Sequence, residues 1–264
     1  MMMNSATHGW IDVHTHLNML KTTPEEALAE GRAAGVSRFI TIGTEPKDHG
    51  LVLELARRYF PEVACTLGVH PHEAQLFTDE VSAFIETHAK EKEVVAIGEI
   101  GLDYYYDNSP REVQREAFRR QLEIAAKLGM PIEIHTRDAE PDTIEILGEF
   151  KGRLSGIVHC FTGTMELAKA ALDLGLDISF SGVVTFKNAD DLRAVASYVP
   201  LERLHVETDA PFLTPVPHRG KPNVPAFVVH TGRFVANLKG VSEDLLRETT
   251  VANARRVFPK LAWT

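Results

Sequence analysis

The chain has 264 residues, 44% of them hydrophobic and 25% charged, and a formal charge of −9. That balance excludes a disordered chain and a basic coat for nucleic acid, and the length suits a domain with a sizeable core. No apolar run approaches the roughly 18 residues of a membrane span. The opening MMMNSATHGW has neither the basic nor the apolar region of a signal peptide, and two cysteines, Cys65 and Cys160, fit a reducing cytoplasm rather than a disulfide framework.

Short β-branched or apolar runs alternate with amphipathic helical patterns. The predicted strands are Trp10–His14, Arg38–Gly43, Val63–Val69, Val94–Ile100, Pro131–His135, Gly156–Cys160, Leu176–Ser181 and Arg203–Thr208. The predicted helices between them are Pro24–Ala34, Asp48–Tyr59, Glu80–Lys90, Glu112–Leu128, Asp142–Phe150, Met165–Leu174 and Ala189–Tyr198. Ala226–Leu238 and Glu243–Val257 follow the last strand. Pro24 after Thr22-Thr23 and Ser242 before Glu243 are helix-start signals, and Gly35, Gly129 and Gly175 stand where helices should stop. Strict alternation predicts a parallel sheet with helical crossovers. Eight units of about 33 residues have the size of a (β/α)₈ TIM-barrel unit, so a single-domain barrel over residues 1–264 is expected. An open doubly wound sheet would carry a glycine-rich turn after its first strand, and that turn here reads HTHLN.

Polar residues collect at the C-terminal ends of these strands, which share one rim in a parallel barrel and hold its active site. Residues two apart on a strand face the same way. Asp12, His14 and His16 therefore share a face, Glu99 lines up with Ile97 and Gly101, Glu133 with His135, and Glu207 with Asp209. A His-x-His pair at a strand end grips one metal ion well. Glu99 can bridge two ions, His135 and His159 can hold the second, and Asp209 can bind an ion and accept a proton. One buried histidine is usually a hydrogen-bonded core residue; six such polar groups at one mouth without a ligand would be costly to satisfy. Two divalent ions against the two carboxylates would leave the site positive enough to attract an anion. Mixed nitrogen and oxygen ligands suit Zn²⁺ or Mn²⁺, with Mg²⁺ preferring oxygen.

The motifs IDVHTHL at 11–17, LGVHPH at 67–72, AIGEIGLDYYYD at 96–107, PIEIHTRDA at 131–139, VHCFTG at 158–163 and VETDAPFLTPVPHRGKPN at 206–223 cover nearly the whole chain. With these residues the chain resembles the TatD-related DNases, metal-dependent barrel hydrolases of the amidohydrolase-like group. The resemblance implies His14 and His16 on one ion, His135 and His159 on the other, Glu99 bridging in place of a carbamylated lysine, and Asp209 as ligand and acid/base. It implies release of nucleotides from the 3′ end of single-stranded DNA. The phosphodiester would be attacked by an activated hydroxide, and the leaving 3′-oxygen protonated from water or from His70. Asn18 and Val224 stand where an aspartate and a glutamate are common in the family; neither is a ligand position.

Substrate contacts are expected from His70, from the rim cations Arg137, Lys187, Arg219 and Lys221, and from one of Tyr104, Tyr105 and Tyr106 stacking a base. Glu207 is expected to orient a ligand or substrate. His205 and Glu133 read as hydrogen-bonding partners below the ligands, His49, His88 and His230 as surface residues, and Cys160 as a packed thiol facing away. The same barrel could act instead on RNA, an aminoacyl-tRNA ester, a lactone, a cyclic amide or a phosphotriester. A nucleic acid is the expected partner, no membrane is, and a monomer is favoured.

Overall fold

The computed structural model describes residues 9–261. Most of the opening segment read above for a signal peptide, residues 1–8, lies outside them. Eight strands form one parallel sheet in chain order: β1 (Trp10–Thr15), β2 (Val36–Gly43), β3 (Val63–Leu67), β4 (Val94–Asp103), β5 (Ile132–Arg137), β6 (Gly156–Val158), β7 (Asp177–Phe180) and β8 (Leu204–Val206). Seven helices cross between them: α1 (Pro24–Ala34), α2 (His49–Tyr59), α3 (Asp79–His88), α4 (Arg111–Leu128), α5 (Glu140–Gly148), α6 (Met165–Asp173) and α7 (Asp190–Tyr198). Two more, α8 (Val228–Lys239) and α9 (Glu243–Val257), close the chain. This is the single (β/α)₈ barrel expected.

The local signals act as chemistry dictates. Thr23 and Glu26 form a reciprocal capping box at the start of α1, and Ser242 accepts from Leu245 N to cap α9. Gly35 and Gly129 end α1 and α4 in the left-handed conformation. The outer helices bury a continuous apolar layer against the sheet. A second cluster joins Ile11, Val13, Ile40 and Ile42 to Val251, Ala254, Val257 and Phe258 around α9.

The strand bounds differ from the sequence reading by one to three residues, and two of the differences shape the mouth. β4 runs three residues past Ile100. Gly101 makes this possible: its φ is +140°, and a Cβ there would sit 1.9 Å from the carbonyl oxygen of His135. β8 stops at Val206, two residues early, because the segment after it turns to meet β1. Thr208 N and Oγ1 donate to the Asp12 carboxylate, Asp209 N donates to His14 O at 2.9 Å, and His16 N donates to Ala210 O at 2.8 Å. The seam between first and last strands is therefore closed at the rim, by the residues that carry the polar cluster.

The long helix α4 fixes two more strand ends. Gln121 accepts from Val69 N at 2.7 Å and donates to Val69 O at 3.1 Å. Two turns earlier, Gln114 accepts from Asp103 N at 2.8 Å and donates to Asp103 O and Ser109 O. Both glutamines are fully buried and act as strand extensions for the loops after β3 and β4. At the far end of the barrel, buried Asp177 accepts from Arg203, His205 and Arg256 at 2.5, 2.8 and 2.5 Å.

Candidate metal centre

Every predicted ligand reaches one place. Glu99 stands at the centre, on the inner face of β4. Its Oε1 lies 2.8 Å from His159 Nε2, 3.1 Å from His135 Nδ1 and 3.4 Å from His70 Nε2. Its Oε2 lies 3.6 Å from His14 Nε2. Asp209 Oδ1 is 3.3 Å from His16 Nε2 and 3.7 Å from His14 Nε2. Among the described residues three ligand groups result: His14, His16 and Asp209; His14, Glu99 and His159; and His70, Glu99 and His135. Asp209 holds a positive φ of 55°, a conformation aspartate tolerates better than most side chains.

Three histidines are each flanked by a second carboxylate behind the ring. His14 Nδ1 faces Glu133 Oε2 at 3.2 Å, His135 Nε2 donates to Asp103 Oδ2 at 3.0 Å, and His159 Nδ1 faces Glu207 Oε1 at 3.3 Å. A neutral imidazole has one N–H, so a carboxylate on both sides of each ring leaves one ring nitrogen facing an acceptor without a proton. A cation between the inner nitrogens and Glu99 resolves that conflict, and an outer carboxylate on a ligating histidine is the usual arrangement around bound metals. His14 and His16 also keep buried ring nitrogens without a hydrogen-bond partner. The donor set thus fits metal ions on the structure's own terms.

Against their burial, Glu99 and Glu207 raise His159 well above the usual imidazole range, and hydrogen bonds to Asp103 and Asp209 raise His135 and His16, positive charge that a bound cation would replace. Burial alone would raise Glu99, but the imidazoles of His159 and His70 and hydrogen bonds from His135 and His159 hold it well below the usual carboxylate range. Glu133, buried with no cation bonded to it, is pushed well above that range. Burial lowers His14 strongly and lowers His70 to about 4. His70 Nδ1 accepts from His72 N at 3.1 Å, which turns Nε2 toward Glu99.

The centre opens into a cavity of about 680 Å³, reached by His70, His72, Tyr106, Arg137, Cys160, Phe186, Asp209 and Phe212 among others. Arg137 stacks on Tyr105 and Tyr106, its guanidinium carbon 4.0 and 5.0 Å from their ring centres. Arg219 stacks on Phe186 at 3.8 Å and donates to Thr214 O. Lys187 and Lys221 are exposed. Glu207 accepts from Cys160 N at 2.7 Å besides facing His159.

Several expectations are corrected. Tyr104 does not face the mouth: its hydroxyl donates to Asp142 at 2.5 Å and Arg111 lies over its ring, while Tyr106 borders the cavity. Cys160 does not face away. A φ of +41° breaks strand alternation there and turns it to the cavity, 3.2 Å from Ser181 Oγ, where burial keeps its thiol protonated. His49 is buried, not on the surface, and Nε2 bonds Gly68 O at 2.7 Å. His205 pairs with Asp177 as a core partner. Sequence reasoning sees Asp103 and His72 at strand ends but assigns neither a role; His72 is the second histidine on Asp103, 3.0 Å away. Asp103 shares the face of Glu99 and Gly101, the one signal that could have found it.

A parallel barrel whose mouth gathers five histidines around Glu99 and Asp209 defines a class: barrels whose strand ends carry a donor cluster able to hold metal. Within it, the chain belongs to the family described as TatD related DNase, whose sequence profile matches residues 11–259. It is 39% identical over 250 residues to an uncharacterized metal-dependent hydrolase, YabD, of Bacillus subtilis, covering 94% of this chain and 98% of the relative. It is 37% identical over 254 residues to a protein of Pectobacterium parmentieri named 3′-5′ ssDNA/RNA exonuclease TatD, with 94% and 98% coverage. The crystal structure of YJJV, a TatD homolog from Escherichia coli, superposes with a TM-score of 0.89 at 28% identity, over 95% of this chain and 98% of that one. No described helix is long and apolar enough to cross a membrane.

Proposed function

We propose that the chain is a metal-dependent hydrolase of DNA that releases nucleotides from the 3′ end of single strands. The observation that carries this reading is Glu99 amid imidazoles, backed by three outer carboxylates and opening on a cavity with Arg137 at its edge. The exonuclease name of the Pectobacterium relative supports the substrate class. Two divalent ions, Zn²⁺, Mn²⁺ or Mg²⁺, would be held by His14, His16 and Asp209 and by His135 and His159, with Glu99 within reach of both sets. Bound there, they would supply acidification of a water and charge neutralisation on the phosphoryl group.

The chain's own residues do the rest. Asp209, at the edge between ligands and cavity, takes the proton of the attacking water. The water oxygen forms its bond to phosphorus as the bond to the 3′-oxygen breaks. That oxygen takes its proton from water, leaving a shortened strand with a 3′-hydroxyl and a nucleoside 5′-monophosphate. Arg137 is pre-oriented by its tyrosine stack to hold a neighbouring phosphate, and His70 donates a hydrogen bond at the same edge. Arg219, stacked on Phe186 at the cavity, is a second cation available to a phosphate. Glu207 holds His159 and the backbone after it in place.

Digestion of a 5′-labelled single-stranded oligonucleotide by metal-loaded protein tests the reading. The expected result is a ladder shortening from the 3′ end, abolished by chelator and reduced about 10²–10⁴-fold in Asp209→Asn. An intact oligonucleotide across all three metals, with ions bound, overturns it. RNA is the second reading, favoured by the same relative's name, and a parallel RNA digest decides it. Esters, lactones, cyclic amides and phosphotriesters then follow as assays.

A further inference from the structure

We infer that Phe212 is the platform on which the base of the departing nucleotide stacks. The inference rests on the nuclease reading above and narrows it to one subsite.

Phe212 is 51% exposed, a large aromatic ring left half open to water. Singly exposed apolar side chains are common, and what sets this one apart is its place at the cavity mouth. The ring packs in a T-shape with His16, centroids 6.0 Å apart and planes at 73°, and it borders the cavity beside Asp209. A half-exposed aromatic ring is therefore presented next to the ligand cluster where the phosphate would be cut.

The backbone that presents it is locked. Phe212 N donates to Asp209 O at 2.8 Å. Buried Asn223 donates through one amide nitrogen to Phe212 O at 2.5 Å and to Thr208 O at 2.8 Å. Asp209 and Leu213, on either side, both sit at a φ of +55°, a region sparsely populated by residues other than glycine. An exposed ring on an over-determined, strained backbone is what a preorganised stacking surface requires. A loop merely covering the barrel end needs none of it.

Apolar and cationic groups both line the cavity: Phe212, Leu213, Val183 and Phe186, and Arg137 stacked on its tyrosines. A nucleotide placed with its phosphate at the ligand cluster can lay its base on Phe212 and direct its neighbouring phosphate toward Arg137. Stacking on a ring tolerates every base, because each has a π-face. A base still paired in a duplex has its faces covered, so the subsite selects unpaired ends.

The test uses the metal-loaded full chain and two single-stranded oligonucleotides, one natural and one whose 3′-terminal residue is abasic. In wild type the abasic end is cleaved with kcat/KM about 10–100-fold lower. Phe212→Ala lowers the natural end by a similar factor and leaves the abasic end unchanged, whereas Phe212→Trp keeps the natural rate. Metal content and thermal midpoint, measured alongside, stay at wild-type values because the ring is half exposed. If Phe212→Ala slows both ends equally, or wild type cuts both equally, the stacking role is overturned while the nuclease reading stands. If wild type cuts neither, the nuclease reading falls and this subsite with it.

Discussion

Asp103 grips His135 from behind: the imidazole Nε2 donates to its carboxylate at 3.0 Å while Nδ1 faces Glu99 at 3.1 Å. The same carboxylate accepts from the backbone N–H of Tyr105 and Tyr106 and from His72. Burial opposes its charge, but His135, His72 and the Tyr106 amide hold it far below the ordinary aspartate range. Asp103→Asn therefore removes the charge that fixes the ring while keeping its shape. Metal affinity, measured by competition with a chelator, should fall about 10–100-fold. An unchanged affinity would mean that Asp103 only shapes the loop.

Gln114 carries three hydrogen bonds into the backbone around Asp103. Gln114→Leu fills the same space and leaves those buried backbone groups unpaired. The cost is roughly 1–3 kcal/mol for each group that finds no water. Urea denaturation measures it, and loss of activity beyond loss of fold reports displacement of Asp103.

Gly101→Ala places a methyl group on the carbonyl of His135 and forces a non-glycine residue to a φ of +140°. The strained backbone alone costs about 1–3 kcal/mol, and the contact adds to it. Because β5 must move to relieve it, His135 moves too. Metal stoichiometry should drop before the far-ultraviolet helix signal does, and equal loss of both would place the damage in the fold at large.

Asp177 makes stability depend on acid. Burial would raise its pKa, yet His205, Arg256 and Arg203 hold it below the usual value. A carboxylate with a depressed folded pKa contributes stability above its unfolded pKa of about 3.9, and that contribution is lost as pH falls through the folded value. Asp177→Ala should cost roughly 3–5 kcal/mol at pH 7 by stranding its partners. Between pH 5 and pH 2, wild type should lose more stability than the variant in urea titrations. A parallel decline in the two proteins would show that other carboxylates govern the acid limb.

Much of the centre was legible because a strand has a period of two and a barrel has one mouth. His14, His16 and Glu99 could be aligned from their spacing alone, and β–α alternation places their strand ends together. Asp103 escaped because β4 seemed to end at Ile100; only the backbone freedom of Gly101 carries the strand and its inward face further. Cys160 escaped because alternation fails where a residue takes a positive φ, and no local signal in VHCFTG announces that turn. Gln114 and Gln121 escaped for a different reason. A glutamine on a helix looks like a solvated residue, and only the seven-residue spacing, two turns on one face, hints that the pair points inward.

The seam between β1 and the residues after β8 ties the lifetime of the centre to a single joint. His14, His16 and Asp209 lend their backbones to it and their side chains to the cluster. The barrel is thus fastened like a hoop whose clasp is its own working part. Heat or denaturant that loosens the clasp scatters these groups while the helices outside still hold. Activity should vanish below the temperature at which the helices melt, and whatever fills the site should raise both temperatures by keeping the hoop shut.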